Sequence, residues 1–212
     1  MSAKPDILEI SEPARTRPLL KWAGGKTQLI PALTQKLPSK FGRYIEPFFG
    51  GGALYFHLQP DMAVIADSNP ELINLYRTVA NNPRAIIQAL ARHDNTEKNF
   101  YETRCLDWTE LEPHEAAART LFLNRTCFNG LYRVNKRGEF NTPFGRHKNV
   151  NLVDKENLFR ASILLQSAEI RAIDYYELLS AEAKFGDFIY LDPPYLPIGI
   201  YSDFKRYTKD FF

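Results

Sequence analysis

The order of elements between Tyr44 and Pro70 narrows the fold more than any other feature of the chain. Tyr44-Ile45-Glu46 reads as a short strand that empties into Pro47-Phe48-Phe49-Gly50-Gly51-Gly52, a glycine-rich turn, and Ala53 to Leu58 then reads as a helix. A second strand, Met62 to Ala66, is closed by Asp67-Ser68-Asn69, and Pro70 stands where the first turn of the next helix belongs. Strand, loop, helix and strand in that order predict a βαβ unit and therefore a parallel sheet, which places the chain in the α/β class.

The remaining pattern is consistent with one such domain carrying an insertion. Gln28 to Leu37 is expected to be helical, interrupted or started at Pro31. From about residue 80 to 125 the chain reads as helices broken at the turn-favouring pair Asp94-Asn95. Alternating segments, Gly130 to Asn135 and Glu139 to Phe144, flank Lys136-Arg137-Gly138 and predict a β-hairpin. A helix around Lys155 to Leu165 follows, then strands near Glu169 to Ile173 and at Phe188 to Leu191. That makes about four core strands, few for an α/β domain of 212 residues.

Composition removes several classes. Cys105 and Cys127 show no ligand spacing and the four histidines form no pair at helical or finger-like spacing, so neither structural zinc nor a disulfide framework is expected. No apolar run approaches the roughly 18 residues of a membrane span, and Met1 to Pro18 mixes charges with prolines instead of forming a signal-peptide core. The expectation is a cytoplasmic protein without membrane or metal partners, with residues 1–17 a flexible tail. A net charge of +2 says little about nucleic acid, but its distribution does. Residues 129–148 carry Arg133, Lys136, Arg137, Arg146 and Lys148 against Glu139 alone, five minus one, or +4.

Three segments carry chemistry. Asp192-Pro193-Pro194-Tyr195 follows the last apolar strand; each proline fixes φ and removes an N–H, so the carbonyls around them are stiff acceptors. Beside the Tyr195 ring they suit a planar amino group donating to Asp192 and the Pro193 carbonyl, although a Pro-Pro turn with a solvent-facing Asp has the same sequence. The turn at Gly50 lacks the glycine at position 55 that a dinucleotide fingerprint needs, where Tyr55 stands. It still permits close backbone approach at a helix start. With Asp67 at the second strand's end to hold ribose hydroxyls, it suggests an adenosine-containing ligand without pyrophosphate, against the alternative of a packing turn and a helix cap. Gly25-Lys26-Thr27 fails as a phosphate loop because Leu20 replaces the first glycine; Trp22 and Lys26 instead offer a ring and a cation to a small zwitterion. In the hairpin, Arg133 sits among Phe128, Asn129, Tyr132, Asn135, Phe140 and Asn141, residue types that read base edges or wedge between them, with Lys136, Arg137, Arg146 and Lys148 suited to phosphates. A merely solvated basic hairpin remains open.

Taken together, Lys21-Trp22-Ala23-Gly24-Gly25-Lys26, Glu46 to Gly52, Ala66 to Asn69, Asn124-Arg125, Phe128 to Arg133, Gly138 to Gly145 and Asp192 to Tyr195 resemble, in order, the Dam-like DNA adenine-N6 methyltransferases. The resemblance implies a Rossmann-like S-adenosylmethionine-dependent methyltransferase sheet with an inserted helical and β-hairpin DNA-recognition subdomain. Residues 18–79 and 166–212 would form the core and 80–165 the target-recognition insert. It implies S-adenosylmethionine lined by Trp22, Lys26, Asp67 and Asp192, with Glu46 and Pro47 at its edge, Phe48 and Gly50 also in contact, and Asp174-Tyr175 as an adenine-pocket pair. Asp192, Pro193, Pro194 and Tyr195 would act on an adenine flipped from duplex DNA. Arg133 would read guanine, Leu131 and Pro143 would make apolar base contacts, and Phe128 or Asn129 would fill the vacated gap, with GATC the expected target. A cognate restriction endonuclease is a possible partner. Members of the family continue beyond the position of Phe212, so C-terminal strands are expected to be missing, which leaves a catalytically inactive DNA-binding or cofactor-binding remnant as the alternative. Methylation of RNA or a protein glutamine is disfavoured by the basic hairpin.

Overall fold

The structure, a computed structural model, describes residues 15–194 apart from Ala23 and Lys136. Four strands, β1 (Tyr44–Glu46), β2 (Ala63–Asp67), β3 (Ala168–Ala172) and β4 (Phe188–Ile189), form a parallel sheet in the order β3-β2-β1-β4. Their register sets Tyr44 opposite Ala63 and Phe188, and Ile45 opposite Val64 and Ile189. Successive side chains point to opposite faces, and here both faces are apolar. Tyr44, Ala63 and Ile65 join a large core, while Ile45, Val64 and Ala66 join a smaller cluster with Leu178.

A 3-10 turn, Thr27–Leu29, leads into α1 (Ile30–Thr34), with Pro31 in its first turn. It is shorter than the sequence predicts: the Lys36 N–H bonds the Leu33 carbonyl, an i−3 bond that tightens and ends the helix ahead of Pro38. The glycine turn then gives α2 (Ala53–Leu58), at its predicted limits. α3 (Pro70–Asn81) begins behind Asn69, whose side chain accepts from the N–H groups of Glu71 and Leu72 at 3.0 and 3.2 Å, with Pro70 in the first turn. α4 (Pro83–Leu90), α5 (Glu97–Cys105) and α6 (Pro113–Thr126) follow, with the predicted break falling at residues 91–96. α7 (Lys155–Gln166) is capped by Asp154 and α8 (Tyr175–Glu182) by Asp174.

The large core runs without interruption from Tyr44 and Ile65 through Leu72, Tyr76 and Val79 of α3 to Phe100, Phe122, Tyr132 and Phe140. The helices of residues 80–165 thus share one core with a face of the sheet. Arg17 is tied to α7: it donates its N–H to Asn157 Oδ1 at 2.8 Å and its carbonyl accepts from Asn157 Nδ2 at 2.9 Å.

Three predicted elements differ in form. β2 lies one residue later than expected because β3 continues to pair as far as Asp67 with Ala172. β4 stops at Ile189, although the Tyr190 N–H still reaches the Ile45 carbonyl at 2.9 Å. The hairpin is reduced to two isolated antiparallel bridges, Val134 with Phe140 and Cys127 with Phe144. Pro143 has no N–H to give a ladder, and Thr142 uses its hydroxyl, at 2.6 Å, on the Leu131 carbonyl. α8 lies outside the predicted elements. Parallel strands require a crossover, however, and Leu178 of α8 seals the smaller cluster.

Candidate active site and nucleic-acid interface

In a parallel sheet the loops that bind ligands gather at the carboxyl ends of the strands. Three acids stand there: Glu46 ends β1, Asp67 ends β2, and Asp192 lies three residues beyond β4. Glu46 is buried and accepts the Tyr44 hydroxyl at 2.7 Å. Burial pushes its carboxyl well above the usual range; the hydroxyl opposes this, and the negative charges of Asp192 and Asp67 add to it. Burial likewise raises the Asp67 carboxyl to about 6, against the pull of the backbone donors around it.

Those donors show why the turn is built from glycine. The Gly50 N–H meets Asp67 Oδ2 at 2.9 Å and the Asn69 N–H meets Oδ1 at 2.9 Å. Gly50 has φ +48°, and a Cβ there would lie 2.6 Å from Nε1 of Trp22. Only glycine lets the turn present its N–H to Asp67 while Trp22 packs on its back. The Tyr76 hydroxyl holds the Gly50 carbonyl from below at 2.8 Å.

Lys26 faces the same edge. Its Nζ donates to both oxygens of Asp192, at 2.7 and 2.6 Å, and to the Gly24 carbonyl at 2.9 Å. Pro47 is buried, whereas Pro193 and Pro194 are exposed beside the half-buried Asp192. Beyond Glu46, Phe48 packs on Tyr175 with ring centroids 5.1 Å apart. Asp174 accepts the Tyr176 N–H at 2.8 Å, so its carboxylate caps α8. Tyr195 lies outside the described residues.

The donor set fits a nucleoside carrying a sulfonium and an amino acid. Asp67 is an oriented acceptor for hydroxyls, Glu46 and Asp192 supply carboxyl groups, and the rings of Trp22, Phe48 and Tyr175 supply flat surfaces. Among the described residues, no cluster of three or more His, Cys, Asp or Glu is arranged to hold a metal ion. No described helix is long and apolar enough to cross a membrane.

The residues singled out for DNA lie together on the 128–148 segment. Phe128 and Leu131 are exposed apolar side chains, and Asn129 takes a left-handed backbone, φ +55°. Arg133 donates through Nε to Asn141 Oδ1 at 2.8 Å, which sets the plane of its guanidinium. Asn135 is used by the turn: its Oδ1 accepts the N–H groups of Arg137 and Glu139, and its Nδ2 bonds Glu139. The carbonyl of exposed Pro143 accepts the Phe128 N–H. Arg137, Arg146 and Lys148 are exposed, Arg146 lying 3.4 Å from Glu97, and Lys136 is outside the described residues.

Two connections between these regions are absent from the sequence reading. Trp22 stacks on Tyr132, centroids 5.0 Å apart at 25°. Asn124 bonds the backbone of Lys21 in both directions, at 2.9 and 2.8 Å. Asn124 was visible as part of a motif; its partner, distant in the chain, was not.

Residues 22–212 match the D12 class N6 adenine-specific DNA methyltransferases. A type II methyltransferase of Lactococcus lactis subsp. cremoris, M1.LlaDCHI, is 42% identical over 203 residues, covering 92% of this chain and 72% of that protein. M.MjaIII of Methanocaldococcus jannaschii, another type II methyltransferase, is 37% identical over 214 residues, covering 91% and 74%. The DNA adenine methylase of Serratia marcescens is 35% identical over 202 residues, covering 93% and 74%. The match over residues 22–212 and these relatives show that the chain, with its parallel sheet, belongs to the D12 class N6 adenine-specific DNA methyltransferase family.

Proposed function

We propose that this chain moves a methyl group from S-adenosylmethionine to N6 of an adenine flipped out of duplex DNA, with GATC as the target. The observation that carries the reading is the convergence of Asp67, Glu46, Lys26 and Asp192 on one strand-end edge, next to the Asp192-Pro193-Pro194 acceptors. Asp67 would hold the ribose, Trp22, Phe48 and Tyr175 would bound the ligand, and Glu46 would close its floor. When bound, the cofactor supplies an electrophilic methyl on a positively charged sulfur.

The chain's own task is orientation. N6 of adenine is buried in a base pair, so the nucleotide must leave the stack at a cost of a few kcal/mol. Tyr195 would receive the ring by stacking. Asp192 and the Pro193 carbonyl would accept hydrogen bonds from the two N6 hydrogens, drawing the nitrogen lone pair out of conjugation and toward the methyl; as the N–C bond forms and the S–C bond breaks, one N6 proton is lost to water. Lys26, already bidentate on Asp192, holds that carboxylate in place. No covalent enzyme intermediate is needed.

Residues 80–165 would be the target-recognition insert, and 18–79 with 166–212 the catalytic core. Arg133 would read guanine, Leu131 and Pro143 would contact bases, Phe128 or Asn129 would fill the gap, and Arg137, Arg146 and Lys148 would meet phosphates. The type II names of two relatives favour a restriction-modification setting with a cognate endonuclease.

The test is transfer of labelled methyl from S-adenosylmethionine to duplexes with and without GATC. Labelling confined to GATC is expected. Labelling of other sequences would remove the target assignment, and cofactor and duplex binding without transfer would identify a binding remnant.

A further inference from the structure

We propose that Tyr132 is a positioning residue that couples duplex reading to cofactor binding, a coupling that rests on the function proposed above. Tyr132 lies between Leu131 and Arg133, the two residues assigned to base contacts, yet its own side chain turns inward and is 2% exposed. Its ring stacks on Trp22, and Trp22 fills the space behind Gly50, whose N–H orients Asp67. Its hydroxyl donates to Glu71 Oε2 at 2.6 Å, and Glu71 stands in the first turn of α3, four residues past Asp67. Two routes therefore run from one ring to the same acid, one through Trp22 and Gly50, the other through α3.

The surrounding contacts stiffen both routes. Glu71 Oε1 accepts from Arg119 Nη1 and Thr120 Oγ1 at 2.7 and 2.8 Å, and Arg119 is itself tied to the Thr103 and Arg104 carbonyls. Asn124 clamps Lys21 and donates to the Gly130 carbonyl at 3.1 Å, while Arg125 holds the Leu19 carbonyl at 2.8 Å. A close-packed interior passes a displacement on instead of absorbing it. A shift of the 131–133 backbone on a base pair must move the Tyr132 ring, and the ring cannot move without Trp22. By linkage, a duplex that favours one ring position raises cofactor affinity, and the cofactor raises duplex affinity by the same factor.

The experiment uses Trp108→Phe protein, in which Trp22 is the single remaining tryptophan of two. S-adenosylhomocysteine, the non-reactive product, is titrated calorimetrically with and without a saturating GATC duplex. A gain in affinity of about fivefold or more is expected. Tyr132→Phe, which keeps the ring, should retain most of that factor; Tyr132→Leu should bring it to about one while each ligand still binds alone. Trp22 emission should change on saturation with the GATC duplex and not with a duplex lacking the site. That second reading leaves Tyr132 intact and decides the matter even where Tyr132→Leu does not fold. A factor of one in the parent protein with both ligands bound, an unchanged emission, or a factor retained in Tyr132→Leu overturns the coupling and leaves the proposed function standing. Failure of the folded parent to bind either ligand overturns both.

Discussion

Lys26 meets Asp192 through both carboxylate oxygens, which leaves the lone pairs facing away from the ammonium as the ones an incoming amino group can use. Replacing Asp192 with Ala removes the only side-chain acceptor assigned to N6 while leaving the basic segment untouched. Methyl transfer by Asp192→Ala should fall by about 10²–10³-fold or more, with duplex affinity in a gel-shift titration unchanged. Retained turnover would refute the assignment. Asp67 gives a second prediction, in pH. Its carboxyl is raised to about 6 by burial, so a proton competes with ribose hydroxyls for the same oxygens close to neutrality instead of near pH 4. The charged, accepting form dominates above that value. Affinity for S-adenosylhomocysteine should be flat above about pH 7 and fall by up to about tenfold per unit below about 6. Glu46, also raised by burial, adds protons in the same direction. Asp67→Asn should bind weakly at all pH values and flatten the profile; an unchanged profile would place the titrating group elsewhere.

Among the elements, α3 and α6 are joined by a fully buried ion pair, Glu71 with Arg119 at 2.7 Å, whose side chains are 5% and 4% exposed. Removing one member of such a pair strands the other in a medium that cannot solvate it. Arg119→Ala should cost about 3–5 kcal/mol in urea unfolding at pH 7, more than any of the exposed pairs, each of which is worth at most about 1 kcal/mol. Loss below about 1 kcal/mol would mean that water reaches Glu71. This pair also marks where sequence reading stops. β1 and α2 were legible residue by residue because Pro47, the glycines and the apolar alternation are local signals. The hairpin was legible as a turn between alternating segments, yet its ladder was lost to Pro143 and to the Thr142 hydroxyl, which local pattern does not weigh. α8 lacks a strong local signal: Asp174 is an ordinary cap, and it is the crossover between parallel strands that demands the helix. At the site, the acids and Lys26 could be named from strand ends and loop chemistry. Tyr44 on Glu46, Tyr132 on Trp22 and Asn124 on Lys21 could not, since two of these three join residues about a hundred positions apart and depend on packing alone.

At the scale of the molecule the charge is divided: Glu46, Asp67 and Asp192 gather at the strand ends, while the 129–148 segment holds +4 of a chain whose net charge is only +2. Such a division separates two contributions to binding that respond differently to salt and to sequence. Exposed Arg137 and Lys148 can neutralise phosphates, and each phosphate contact contributes about 0.9 to the slope of log affinity against log salt on duplex DNA. Arg137→Ala and Lys148→Ala should each lower that slope by roughly one and weaken GATC and non-GATC duplexes alike. Arg133 differs because its Nε bond to Asn141 fixes the guanidinium plane, the preparation a two-pronged contact with guanine requires. Arg133→Ala should therefore cost about 1–3 kcal/mol on GATC, far less on duplexes with the guanine replaced, and collapse the discrimination between them. Asn141→Ala, which frees the plane without removing the charge, should lose part of the discrimination while keeping the salt slope. If Arg133→Ala instead weakened all duplexes equally and lowered the slope, Arg133 would be a phosphate contact, and guanine would have to be read by another residue of the segment.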